Sequence, residues 1–186
     1  MLGGARTVKL DLETTTFAND QVNFSVSPVD SIASYRSSDG ANGNVLLTYD
    51  GNGAGLNVDF TGEDAVIIRF SAFDKANGNN LPATVTLTDT SNNTFSLLQN
   101  LTIAINPVTD APVDLTFLLS AYSGAGVNLA HIKSAKVDFA ANVAHDFSMQ
   151  FIVATTVPEP TTFLAALTAL PLLGFVAYRK RHPKVA

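Results

Sequence analysis

The chain has 186 residues and a net charge of −5, and because it has no cysteine it has neither disulfides nor thiolate metal sites. Before Pro158 there are seven Lys and Arg against fifteen Asp and Glu, whereas from Pro158 onward there are four against one. An acidic body without a basic cluster argues against nucleic acid as a partner, since its phosphates would be repelled.

The body of the chain, up to residue 153, is dominated by short runs in which apolar and polar residues alternate. This period of two predicts about eleven short strands, and helical periodicity is nearly absent. The residues predicted to share the apolar faces are Val8, Leu10 and Leu12; Val22, Phe24 and Val26; Leu56, Val58 and Phe60; Val66, Ile68 and Phe70; Val85 and Leu87; Phe95 and Leu97; Leu101, Ile103 and Ile105; Val113, Leu115, Phe117 and Leu119; Val137 and Phe139; and Phe147, Met149, Phe151 and Val153.

Glycine and asparagine separate these runs, most densely at residues 38–44, 50–55 and 77–80. They supply the positive φ values that tight turns need, so antiparallel connections follow. Residues 128–136 could add one helical turn. We therefore predict an all-β domain over residues 1–153, an antiparallel β-sandwich of jelly-roll type, with a closed barrel as the second choice.

The loop at residues 50–55 partly matches a calcium-binding loop. Asp50 and Asn52 stand where oxygen ligands are needed, and Gly55 stands at the turn position. Ala54 occupies another ligand position, however, and Thr61 replaces the bidentate glutamate. A plain glycine turn explains the same residues, although Asp59, Glu63 and Asp64 follow and could contribute oxygen atoms.

No catalytic or metal pattern stands out elsewhere in the body. His131 and His145 lie near Asp138 and Asp146 in sequence, but the four residues do not have the paired spacing of a zinc site. Ser123 lacks the glycine two positions before it that a nucleophile elbow requires. We therefore expect no enzyme and no cofactor, unless folding brings two carboxylates together about 5 to 9 Å apart in a cleft.

The C-terminal end has three consecutive parts. The extended linker 154–160 contains Pro158, Glu159 and Pro160, and the prolines favour an extended backbone. The uncharged segment 161–178 has eighteen residues, which as a helix would extend about 27 Å and can span a bilayer. Residues 179–186 carry the basic cluster of Arg179, Lys180, Arg181 and Lys184, which orients that end toward the cytoplasm and the body outward.

This tripartite end resembles the sorting signal of the PEP-CTERM family of exported bacterial proteins. The resemblance implies that an integral-membrane exosortase recognises the motif and processes the chain nearby. It also implies that the body, transiently anchored in the inner membrane, reaches the cell surface or the exopolysaccharide matrix. A plain tail anchor without sorting is the rival interpretation, but such an anchor has no reason to carry Pro-Glu-Pro.

The N-terminus lacks the basic region and apolar stretch of an export signal, since strand-like alternation already begins at Thr7. We expect that Met1 is an internal start and that a signal peptide is encoded upstream. The leading hypothesis is thus an exported surface or matrix protein without enzymatic activity. The alternative is a carbohydrate-binding module, because sandwich folds often have glycan sites, although fold alone does not establish function.

Overall fold

Ten strands and one short helix make up the part of the chain that the structure, a computed structural model, describes: residues 6–27, 31–75, 78–142 and 144–156. The helix α1 is Leu119–Gly124, and a 3-10 turn covers Leu129–His131. The strands are β1 (Arg6–Thr15), β2 (Val22–Ser27), β3 (Ile32–Ser37), β4 (Ala41–Tyr49), β5 (Ala65–Asp74), β6 (Leu81–Asp89), β7 (Thr94–Leu101), β8 (Val113–Leu118), β9 (Ile132–Ala141) and β10 (Asp146–Thr155).

The strands form two sheets of five. Sheet A has the order β1-β4-β9-β6-β7, sheet B has the order β2-β3-β10-β5-β8, and all neighbours are antiparallel. The predicted antiparallel β-sandwich is therefore confirmed. The central strand of sheet A is β9 and that of sheet B is β10, so the last two strands of the described residues occupy the middle of the two sheets.

The core lies between the two sheets and follows from the alternation of each strand. Along β4, every second residue from Ala41 to Tyr49 is buried. At the centre, four aromatic side chains pack together across the sheets: Tyr35, Phe70, Phe139 and Phe147. Since large aromatic side chains contribute most of the apolar area that a core buries, this cluster is a main source of stability.

None of the helices among the described residues is long and apolar enough to cross a membrane. The predicted transmembrane segment 161–178, the basic tail 179–186 and the Pro-Glu-Pro motif lie outside those residues.

The predictions for residues 56–60 and 41–44 were wrong. Residues 56–60 form no strand, because Asn57 has a φ of +48°, and only Val58 makes an isolated bridge, to Ile132. Residues 41–44 were predicted to lie in a turn but begin β4, and the turn itself is confined to a few residues before them. Gly40 allows this tight turn, because a Cβ atom there would collide with the Asp20 carboxylate.

A β-bulge in β10 overturns the predicted orientation of Phe151 and Val153. Strict alternation from Phe147 and Met149 would direct both side chains into the core. The register with β5 shifts between Met149 and Phe151, so Ile152 is buried instead. Phe151 then lies on the outer face of sheet B, because one extra residue reverses the direction of every later side chain.

The helix α1 replaces the predicted end of a strand at Leu119. Its buried residues are Leu119 and Tyr122, and the Tyr122 hydroxyl donates a hydrogen bond to the Val85 carbonyl (2.9 Å). Burial raises the pKa of Tyr122. Ser123 also lies in this helix, and its Oγ donates to the Ser120 carbonyl (3.1 Å), which is a local structural role.

Candidate functional site: a polar cleft on sheet B

A cavity of about 580 Å³ lies on the outer face of sheet B. Its floor is formed by the small side chains of Ser71, Ala72 and Ser148, which point outward from the paired strands β5 and β10. Ser34 of β3 continues this row, with its Oγ 2.8 Å from the Ser148 Oγ. Because these side chains are short, the backbone of the central strands is open to a ligand.

One wall of the cleft comes from the connection between β7 and β8. Ile105 pairs with Phe73 through two backbone hydrogen bonds, of 3.1 and 2.9 Å, and this pairing places residues 104–107 beside the end of β5. Asn106 is held in turn by Asp110, which accepts from the Asn106 N–H (2.9 Å), while the Asn106 Oδ1 accepts from the Val108 N–H (2.9 Å). The wall is therefore fixed by backbone pairing and by two side chain–backbone bonds.

Three charged side chains stand at the same end of the cleft: Arg36 on β3, Asp146 on β10 and Asp74 on β5. Each is a sequence neighbour of a buried aromatic residue that faces the core, so each must face outward. Asp146 lies directly opposite Asp74 in the strand register. Directly opposite residues have Cβ atoms about 4.5 to 5.5 Å apart, so the two side chains leave the sheet from neighbouring positions.

The Asp146 carboxylate is anchored to the neighbouring strand. Its Oδ1 accepts a hydrogen bond from the Ser37 N–H (3.1 Å), and the Ser37 Oγ donates to the His145 carbonyl (3.0 Å). Asp74, by contrast, is exposed. The rim thus offers two carboxylates, one guanidinium and the amide of Asn106, which together can accept and donate several hydrogen bonds to a neutral, hydroxyl-rich ligand.

A second group of side chains lies on the same face, outside the cleft. Arg69 donates two parallel hydrogen bonds to Asp114, each of 2.7 Å, and its guanidinium carbon stands 4.9 Å from the centroid of the Phe151 ring. The hydrogen bond with Asp114 raises the pKa of Arg69. Since these groups bind one another, they form a closed cluster that supports the sheet rather than an open binding site.

The two candidate calcium ligands, Asp50 and Asn52, lie in the loop that follows β4 at the end of sheet A. The Asp50 carbonyl accepts from the Gly55 N–H (2.7 Å), which closes a tight turn, and Asn52 is exposed. Asp50 lines a small cavity of about 150 Å³ together with Lys133 and Lys136. Two lysines beside one carboxylate disfavour a divalent cation there.

The histidine and aspartate pairs considered from sequence do not form one site. His131 is exposed in the 3-10 turn, whereas His145 is buried edge-on against Phe73, with centroids 5.3 Å apart. Asp138 lies on sheet A, where burial and then Glu13 and Asp11 raise its pKa, and Asp146 lies on sheet B. In the part of the chain that the structure describes, no three metal-ligating side chains converge.

Sequence reasoning missed most of the cleft. Arg36 and Asp74 are ordinary surface charges in the sequence, and residues 101–105 were predicted as one strand, whereas β7 ends at Leu101. The one signal in the sequence is that Arg36 follows Tyr35 and Asp74 follows Phe73. If the aromatic residue of each pair faces the core, the charged residue after it faces outward. The side-by-side arrangement of β3, β10 and β5 could not have been read from their order in the sequence.

No protein-family model matches the chain, and no curated protein matches it either. Among solved structures, it is similar to the enzymatically active domain of tailspike protein 4 of bacteriophage CBA120 (14% identity, TM-score 0.42) and to PfGH50B (10% identity, TM-score 0.47). The matches cover 82% and 80% of this chain but only 19% and 24% of those chains.

It is also similar to the family 11 carbohydrate-binding module from Clostridium thermocellum, solved with a β-1,3-1,4-mixed-linked tetrasaccharide. The identity is 10% and the TM-score is 0.40, with 83% of this chain and 86% of that one covered. With TM-scores below 0.5, these likenesses carry no inference about what this chain binds.

Proposed function

We propose that the cleft on sheet B binds a glycan, and that the protein acts as a non-catalytic polysaccharide-binding domain. The observation that supports this most directly is the combination of a small-residue floor with Arg36, Asp74, Asp146 and Asn106 around the rim. Sugar hydroxyls both donate and accept hydrogen bonds, so a rim with both kinds of partner suits them. The volume also falls within the usual range for ligand sites, about 300 to 1,000 Å³.

The charges of the rim favour a neutral glycan over a polyanion, and the buried aromatic residues limit how tightly it is held. The rim has two carboxylates against one guanidinium, which repels polyanions such as nucleic acids. The aromatic residues that border the cleft, Tyr35, Phe73 and Phe147, have fully buried side chains, so a sugar ring has no aromatic face there to stack on. Binding then rests on hydrogen bonds, and we expect weak affinity with a strong dependence on the rim residues.

Replacing Arg36 by glutamine or Asp146 by asparagine is expected to weaken glycan binding by about tenfold or more, since hydrogen bonds to charged groups contribute about 1.5 to 3 kcal/mol. A ligand would first be selected on a glycan array and then titrated by calorimetry or NMR. The matched control is Lys136→Gln, an exposed charge on the outer face of sheet A. Equal affinity of all three variants and the parent would contradict a site in this cleft.

Glycoside hydrolysis is a second function that one observation favours, namely the directly opposed Asp74 and Asp146. Such a reaction needs one carboxyl group that stays protonated as the acid, which burial normally achieves. Asp74 is exposed, however, and the Asp146 carboxylate is already engaged by the Ser37 N–H, so neither group has the enclosed surroundings of such an acid. We therefore propose glycan binding rather than glycoside hydrolysis. The appearance of new reducing ends in the titrated samples would instead favour hydrolysis.

We further propose that the chain is exported and processed through its C-terminal signal. The support is the sequence alone: Pro158, Glu159 and Pro160, then the uncharged segment 161–178, then Arg179, Lys180, Arg181 and Lys184. An exported glycan-binding domain with this signal would contact exopolysaccharide at the cell surface. The partners of the precursor would be an exosortase and, through segment 161–178, the membrane.

Replacing Pro158, Glu159 and Pro160 together by alanine is expected to abolish processing, because the extended, charged recognition segment is lost. The measurement is the size of the C-terminal fragment and the amount of body released from cells that express an exosortase. Alanine replacement of Thr161 and Thr162, which keeps Pro-Glu-Pro, is the control. Unchanged processing of the triple variant would show that the motif is not recognised.

A further inference from the structure

The strand β1 is the longest edge strand in the described part of the sandwich. It has 10 residues and pairs with β4 on one side, whereas the other edge strands, β2, β7 and β8, have 6, 8 and 6 residues. The other side of β1 lies at the edge of sheet A and presents backbone N–H and C=O groups. Such an edge is a template for another strand, and proteins usually shorten, bend or cover it.

The inward face of β1 is also poorly covered. Its apolar residues point in the same direction as the core residues of β4, since Val8 pairs with Leu47 and Leu12 with Gly43. Yet Val8 is 40% and Leu12 48% exposed, while Leu10 between them is partly buried. A strand added beside β1 would cover these side chains, because its own inward residues would lie next to them.

The charges of β1 select a partner. We propose that β1 pairs antiparallel with β1 of a second copy of this chain, about a two-fold axis at Leu10, so that the two A sheets join into one. In this register Lys9 lies opposite Asp11 of the second copy, and the same contact occurs twice by symmetry. Val8 lies opposite Leu12 of the second copy, and the two Leu10 side chains meet at the axis.

The two neighbouring registers are less favourable. Any change in the pairing register must keep Val8, Leu10 and Leu12 on the inner face. The two-fold axis must therefore lie where a residue of one copy is opposite the same residue of the other copy, and not between two residues. An axis at Lys9 sets two lysines opposite each other, and an axis at Asp11 sets two aspartates opposite each other. Like charges directly opposite in a sheet destabilise the pairing, so the register at Leu10 is preferred.

A bond between the two charges within β1 and a bulge at its far end shape the pairing, and the bulge limits it to the first part of the strand. Within one copy, the Lys9 Nζ lies 2.6 Å from the Asp11 Oδ2, so both charges are already held near the outer surface of the strand. The register with β4 shifts between Leu12 and Thr14, and this bulge at Glu13 bends the strand and ends regular pairing. A lysine on an edge strand normally opposes pairing, but Asp11 of the second copy would neutralise it.

Charge reversal tests the register. The full chain would be studied in mild detergent by light scattering coupled to size exclusion, and we expect a reversible dimer. Lys9→Asp and Asp11→Lys each place like charges opposite each other twice, and each should weaken dimerisation by about tenfold to a hundredfold. The double variant Lys9→Asp with Asp11→Lys restores both contacts, as well as the bond within the strand, and should recover the parent affinity.

The control for this series is Lys136→Asp, which changes the net charge by the same amount as Lys9→Asp but lies on β9, two strands away from the edge. The apolar segment 161–178 could associate by itself, but such association would be the same in all variants. A monomeric parent, or a double variant that fails to recover, would overturn the proposal.

The absence of cysteine allows a second, independent readout. Single cysteines would be placed at positions 9, 10 and 11 and oxidised under mild conditions. Opposed residues in antiparallel strands have Cα atoms about 4.5 to 5.5 Å apart, within the range of a disulfide. Leu10→Cys should form the covalent dimer much faster than Lys9→Cys or Asp11→Cys, and equal rates at all three positions would rule out the register.

Discussion

Replacing Phe147 by alanine is expected to lower the free energy of unfolding by about 3 to 5 kcal/mol. Phe147 is only 1% exposed and lies at the centre of the aromatic cluster between the sheets. Its ring stacks on Tyr35 with centroids 5.2 Å apart, meets Phe70 at 5.9 Å, and contacts Phe139 of the opposite sheet at 5.1 Å. Loss of the ring leaves a cavity that two rigid sheets cannot close.

The matched control is Phe151→Ala, which removes the same ring from the same strand. Phe151 lies on the outer face, where its ring contacts the Arg69 guanidinium, so its loss is expected to cost about 1 kcal/mol. Chemical denaturation with one optical probe measures both variants. Domains of this kind are stable by only about 5 to 15 kcal/mol, so Phe147→Ala should remove a large part of the total stability. An effect of Phe147→Ala no larger than that of Phe151→Ala would disprove the assigned orientations of the two side chains.

Replacing Asp89 by asparagine is the second substitution from which we expect a large effect, a fall in melting temperature of roughly 5–10 °C. Asp89 is fully buried at the end of β6. Its Oδ1 accepts from the Asn93 N–H, and its Oδ2 accepts from the Asn93 Nδ2 and the Asn128 N–H, each at 2.9 Å. An asparagine has one acceptor oxygen fewer and adds N–H donors to a group of donors, so buried bonds are lost.

The same bonds give stability a defined pH dependence. The Asn128 N–H, together with the donors of Asn93 and Ser91, holds the pKa of Asp89 below its ordinary value of 3.8. Because the pKa is lower in the folded than in the unfolded state, this stabilisation is fully present above about pH 4 and is lost as the pH falls through the folded value. The difference in melting temperature between the parent and Asp89→Asn should therefore shrink below pH 4.

Asp59→Asn provides the comparison for this effect. The Asp59 carboxylate accepts from the Thr61 N–H (2.8 Å) and the Thr61 Oγ1 (2.7 Å), and these bonds lower its pKa, but the residue is exposed. Water can replace the lost bonds at an exposed site, so the melting temperature should change little. If the two asparagine variants were equally destabilised, burial of Asp89 would not be the cause.

The sequence predicted the fold class and most strands, because the period-two signal depends only on which residues face the core. The prediction failed where a single extra residue shifts the alternation of inward and outward side chains along a strand. The bulge before Phe151 arises from the register between β10 and β5, which are far apart in sequence, so no local pattern reveals it. The helix at Leu119–Gly124 was missed because its apolar residues also continue the alternation of β8.

The site was less predictable than the fold. From the sequence, Asp146 was considered only with His131, His145 and Asp138 as a metal site, whereas the structure places it between Asp74 and Arg36. The floor is made of serine and alanine, residues with no chemical signature of their own. A binding surface made from several strands depends on their lateral order, and that order is set by the packing of the whole domain.

The position of β9 and β10 at the centre of the two sheets has a consequence for how the domain forms during synthesis. The earlier strands can assemble only into partial sheets, since β4 and β6, or β3 and β5, meet only through a strand that is synthesised later. Neither sheet can close until the last of its strands has left the ribosome. We therefore expect the core of this domain to form only after β9 and β10 have been synthesised, and a nascent chain stopped before Ile132 should remain sensitive to protease.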